Sequence, residues 1–112
     1  MGGTAVIVIR DFLTAALKEQ ICKMALDARV AVVGEYSDFA RAGALFSYGA
    51  DLADLFSRAA GYVDRILKGE KAADLPIQLP TKFQLSVNLK TARVLGFDMP
   101  PSMLVRADEV IE

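Results

Sequence analysis

Histidine and tryptophan are absent from this 112-residue chain, and Cys22 is its single cysteine. Disulfide frameworks, Cys/His zinc sites and Ser-His or Cys-His catalysis are thereby excluded. No Gly-rich phosphate cradle of the GxGxxG or GxxxxGK kind occurs, which leaves nucleotide chemistry without its usual backbone. Basic residues are not in excess: 13 Lys and Arg stand against 14 Asp and Glu, a net charge of −1. Nothing therefore draws the chain electrostatically to nucleic acid or to an anionic membrane surface. Long apolar runs are missing too. Ala5 to Ile9 falls far short of the ~20 residues of a membrane helix, and Met1-Gly2-Gly3 lacks the charged region that opens a secretory signal peptide. On this reading the chain either works in the cytoplasm or is a piece of a longer precursor.

What is present is a sequence with 54% hydrophobic and 24% charged residues, too apolar for disorder. It is about one domain long and can bury roughly 65% of the surface its unfolded chain exposes. Thr4 to Ile9 (TAVIVI) reads as a strand buried on both faces, the natural mark of a central parallel strand. Asp11 stands at an N-cap, and Phe12, Leu13, Ala16, Leu17, Ile21, Met24 and Ala25 recur at helical spacing, predicting one amphipathic helix to about Ala28. Val30 to Val33 is a second buried-type strand, Tyr36 to Ala42 a helical turn or two before Gly43, and Ala44 to Tyr48 a third strand.

Asp51 caps a long helix with an apolar face of Leu52, Leu55, Phe56, Ala59, Ala60, Val63, Ile66 and Leu67, closed by Lys68-Gly69. Gly61 inside it marks either close approach of another backbone or a tolerated exposed position. Pro76 and Pro80 forbid regular helix across Glu70 to Thr81. Phe83 to Val87 alternates as a strand does, Asn88 caps a helix from about Leu89 to Leu95, and Gly96 ends it. Ser102 to Ala107 forms a last short helix before an acidic tail. Strands alternating with helices predict an α/β fold, a mainly parallel sheet with flanking helices, as a single unit over 1–112. In such sheets ligands bind at the carboxyl ends of the strands. That rule selects Arg10 and Asp11, Glu35 and Tyr36, Ser47 and Tyr48.

The stretch Gly43 to Phe97 resembles the carboxy-terminal part of the ABC-transporter substrate-binding proteins related to tryptophan/tyrosine-type transport components. The resemblance rests on SYG, YVDRILKG, ADLP, PTKF and NLKTARVLG in that order, and PPSMLVRADEVIE continues it. More loosely it extends back to Thr4. It implies part of a two-lobed, type I periplasmic-binding fold, working outside the cytoplasm, that closes on a small solute such as an amino acid and delivers it to an ABC permease. Thr4 to Phe46 and Phe83 onward would then belong to one lobe and Asp51 to Gly69 to the other, with hinge-like crossings near 47–49 and 75–80. Family members are longer than this chain. The reading therefore expects an incomplete cleft, an uncovered apolar face on the Asp51-capped helix, and self-association as a homodimer or higher homo-oligomer. A truncated, self-associating fragment that binds no ligand is the alternative.

The ligand-binding candidates are Asp11, Glu35, Ser47 and Tyr48. Asp11 either reaches a solute ammonium or serves only as a cap, and Glu35 is either a polar ligand contact or a solvated loop carboxylate. Tyr48 either stacks on a solute or sits half-buried at a crossing. Ser47 either bonds a solute carboxylate or satisfies a turn. An enzyme would need Asp11 and Glu35 as an acid/base pair, which no motif supports. No catalytic residue, metal or cofactor is assigned, and no nucleic acid is expected as a partner. Asp51 and Asp54 are a cap and a first-turn charge, and Cys22 is a small buried or half-buried residue.

Overall fold

Local signals fix most of the element boundaries in the computed structural model, which describes residues 5–112. The chain runs β1 (Ala5–Val8), α1 (Phe12–Ala16), α2 (Lys18–Asp27), β2 (Ala31–Gly34), α3 (Ser37–Ala42), β3 (Phe46–Ala50) and α4 (Leu52–Leu67). A 3₁₀ turn (Ala72–Asp74), β4 (Phe83–Asn88), α5 (Leu89–Leu95), α6 (Pro101–Arg106) and β5 (Glu109–Ile111) follow. The five strands form one sheet in the order β1-β2-β3-β4-β5, with β1/β2, β2/β3 and β4/β5 parallel. This is the predicted α/β architecture. It divides into two units, 1–49 with 84–112, and 50–83.

In the first unit, Val8, Cys22, Val32, Phe39 and Ala44 make one buried cluster, with Ile21 and Ala25 packed against it. Phe39 is completely enclosed, which at typical transfer energies stabilises the fold by about 1.5–3 kcal/mol. Gly34 makes room for it: a Cβ at that position would lie 2.3 Å from the Phe39 Cβ. A second cluster gathers Leu45, Val87, Ala92 and Met99. Leu45 already bonds both neighbouring strands, its amide donating to Val32 at 2.8 Å and its carbonyl accepting from Asn88 at 2.9 Å.

Three expectations need correction. Among the described residues β1 stands at the edge of the sheet, not at its centre, and Ile7 is 75% exposed instead of buried on both faces. An edge strand has one neighbour, so β-branched content alone does not establish enclosure. Thr4, placed at the start of that strand, lies outside the described residues. The single helix from Asp11 is two, broken at Leu17 (φ −101°, ψ 11°), and Phe12, Leu13 and Met24 on its expected apolar face are exposed. The acidic tail is the strand β5, paired with β4 and tied by a bidentate Arg41–Glu109 pair with both contacts at 2.9 Å.

In the second unit, Asp51 caps α4 by accepting the Asp54 amide at 3.2 Å. No α4 residue is buried. Arg58 donates to Gln78 Oε1 at 3.0 Å and lies near the Leu79 carbonyl and Thr81 hydroxyl, while the Tyr62 hydroxyl donates to the Pro76 carbonyl. The Pro-containing segment is thus held along one flank of the helix. Phe56, Val63 and Leu67 stay exposed on another, and Gly61 has open space at its Cβ position, which selects the exposed reading of that glycine.

Candidate binding site

The carboxyl ends of β1 and β2 deliver four of the residues that the strand-end rule selects, Arg10, Asp11, Glu35 and Tyr36. Ser47 and Tyr48 instead lie inside β3, because that strand runs on to Ala50. Beyond β1, the Asp11 carboxylate accepts the Thr14 amide at 2.7 Å, and the Thr14 hydroxyl accepts the Asp11 amide at 2.8 Å. This reciprocal cap fixes the entry of α1. The Thr14 amide holds the Asp11 carboxyl below its ordinary range, so it stays anionic at neutral pH. Beyond β2, Glu35 Oε2 accepts the Arg10 amide at 3.1 Å, joining the two strand ends.

Arg10 is held at the same place. Its guanidinium lies 3.3 Å from Asp38 Oδ2 and stacks over the Tyr36 ring, 5.1 Å from the centroid. Asp38 Oδ1 is buried and finds no hydrogen-bond partner among the described residues. Together Arg10, Asp11, Phe12, Ala15, Glu35 and Tyr36 line an open hollow of about 390 Å³. A second hollow, about 340 Å³, is lined by Ile7, Val8, Ile9, Val33, Gly34, Glu35 and Tyr48. Glu35 belongs to both.

The four sequence candidates are therefore placed unequally. Asp11 and Glu35 share the polar hollow, and Glu35 and Tyr48 share the apolar one. Tyr48 is 57% exposed. Ser47 lines neither hollow: it is fully buried, and its Oγ has no partner among the described residues. Parallel pairing sets Ser47 beside Gly34, and lateral partners in a sheet share a face. It thus shares the face of Gly34, against which Phe39 packs.

Gly49 completes the frame. A Cβ there would lie 1.9 Å from the Glu35 carbonyl oxygen, so only glycine lets β3 pass this close to the Glu35 backbone. Asp38 was not singled out from sequence. Its signal was faint, a first-turn acid in a six-residue helix. Among the described residues no group of acids and cysteine has the arrangement to hold a metal ion. The arrangement suits a polar solute with a positive group for the carboxylates.

Comparisons with known proteins agree on kind. The family model described as ABC transporter substrate binding protein matches residues 2–111. A conserved domain protein from Vibrio cholerae O1 biovar El Tor is 27% identical, with TM-score 0.90, over 96% of this chain and 36% of that one. The ABC domain in complex with L-Trp from Streptococcus pneumonia is 26% identical, with TM-score 0.89, over 96% of this chain and 37% of that one. A ligand-free, open substrate binding protein with adhesive properties from Clostridium difficile is 23% identical, with TM-score 0.66, a likeness of fold alone. The chain spans little more than a third of the first two structures. No curated protein matches it.

Proposed function

The chain belongs to the ABC transporter substrate binding protein family, and from that premise we propose that it forms the carboxy-terminal part of a solute-binding component of an ABC importer. In this reading it contacts a small solute of the amino-acid class outside the cytoplasm and serves delivery to a permease, without catalysing a reaction. The observation that carries it is the placement of Asp11 and Glu35 in one hollow at the ends of two adjacent parallel strands. Tyr48 contributes from the neighbouring hollow, and Ser47 supports β3 from within. The backbone crossings near 47–49 and 75–80 act as hinges in the whole binding protein. The neighbour that holds L-Trp supports an amino acid as the solute.

The test is a thermal-shift and chemical-shift screen of the 112-residue chain against L-tryptophan, other amino acids, sugars and nucleosides. A ligand at a hundred times its Kd stabilises by about 2.7 kcal/mol, so L-tryptophan is expected to raise the melting temperature and move the Asp11, Glu35 and Tyr48 signals. Absence of any response at millimolar concentrations across the panel rejects the solute-binding reading.

A second reading is supported by the exposed apolar flank of α4. There the chain by itself associates with further copies and binds no solute of its own.

A further inference from the structure

Among the described residues Arg10 is the one cation lining the polar hollow, and it stands outside the proposed contact set. A guanidinium carries five N–H donors in a planar fork. Here one carboxylate oxygen, Asp38 Oδ2 at 3.3 Å, is its ion-pair partner, and the Tyr36 ring supports its face. The Arg10 side chain keeps 33% of its surface accessible, so donors remain available to an anion arriving in the hollow. Asp11 and Glu35 line the same hollow with negative charge. A solute meeting this surface encounters a fixed cation and fixed anions within one small volume, the complement of a zwitterion.

We propose that Arg10 is a specificity-determining contact that takes the solute's carboxylate, leaving Glu35 and Asp11 to its ammonium. Asp38 acts through Arg10 as a positioning residue, holding the guanidinium over Tyr36. The assignment rests on the solute-binding reading and narrows it: a solute with the amine but no carboxylate loses the Arg10 interaction and leaves that donor fork unpaired. Charge-assisted bonds of this kind are about twice as strong as neutral ones, and arginine makes them with a geometry that lysine lacks.

The experiment titrates the 112-residue chain, followed by ¹H–¹⁵N chemical shifts, with L-phenylalanine, 2-phenylethylamine and 3-phenylpropionate. These probes carry both charges, the ammonium alone and the carboxylate alone on one apolar body. L-phenylalanine is expected to bind at least about tenfold more tightly than 2-phenylethylamine. In Arg10→Gln that ratio collapses toward one because only phenylalanine loses affinity. Asp38→Asn weakens phenylalanine binding while leaving 2-phenylethylamine unchanged. Wild-type protein that binds the amine as tightly as the amino acid overturns the proposal without needing any variant, and so does a ratio that persists in a folded Arg10→Gln protein. Should Arg10→Gln fail to fold, Arg10→Lys keeps the charge and loses the fork, and an undiminished ratio there counts against the proposal. If amino acids leave the spectrum unmoved while a sugar or nucleoside shifts it, the Arg10 assignment fails and solute binding stands. If nothing in the panel binds, both fail.

Discussion

Ser47 has no exposed surface, and its hydroxyl oxygen bonds nothing among the described residues. Leaving a buried polar group unpaired costs about 1–3 kcal/mol. Ser47→Ala, which removes the group and nothing larger than one oxygen, is therefore expected to raise the unfolding free energy by about 1 kcal/mol in urea titration. Because Ser47 lines neither hollow, its replacement should leave solute responses intact. A loss of stability greater than about 1 kcal/mol would mean the hydroxyl has a role the geometry does not account for. Residues whose job is local were legible in the sequence: Asp11 and Asn88 both cap the helix they precede, and the Gly96 backbone turns left-handed at φ 69°. Ser47 was not, since its burial depends on which face of β3 it occupies. That face is set by the register with β2, which a linear sequence does not display.

Among the elements, β5 carries the faintest signal in the sequence, which shows only an acidic tail there. Three residues, Glu109–Ile111, give no periodicity. What orders them is long-range: the bidentate Arg41 pair, the Ser86 hydroxyl 3.3 Å from Glu109, and the Asp108 carboxylate accepting the Leu85 amide at 2.8 Å. The Arg41 hydrogen bond holds the Glu109 carboxyl below its ordinary value, against the opposing effect of partial burial. A carboxyl whose folded pKa is depressed contributes stability fully present above its unfolded value of about 4.3 and lost as pH falls through the folded one. The chain is expected to lose stability from about pH 5 downward. Glu109→Gln should flatten that dependence while lowering stability at pH 7, as read from denaturant midpoints at each pH. An unchanged slope would show that Glu109 is not a source of the acid sensitivity. Asp11, depressed by its capping bonds, acts with the same sign and keeps some slope in the variant.

At the scale of the molecule, the α/β class and parallel sheet followed from alternating strand and helix patterns, whereas strand order did not. The apolar, β-branched run Ala5 to Ile9 reads as central, yet among the described residues β1 stands at the sheet edge with Ile7 and Ile9 exposed. Apolar composition records what a strand is able to bury; a neighbour has to be present before it does so. The same holds for α4, where Phe56 and Leu67 are 73% and 82% exposed. Exposed apolar patches of this kind mark interaction surfaces. Multi-angle light scattering of the isolated chain is expected to show mass rising with concentration in the micromolar range, and the double substitution Phe56→Ser with Leu67→Ser to suppress that rise. A wild-type mass fixed at that of the monomer would remove the case for self-association.

The contact between Gly49 and the Glu35 carbonyl has a design consequence. The backbone of Glu35, a candidate contact just past β2, passes beside a residue of β3 that carries no side chain. Transplanting the proposed contact residues into another scaffold by copying their charged and aromatic side chains would omit that requirement. Any side chain at position 49 would displace the Glu35 backbone, because its Cβ would sit 1.9 Å from that carbonyl oxygen. Glu35 is thus transferable only together with the β3 backbone beside it at this spacing, since Gly49 supplies the clearance that its carbonyl needs.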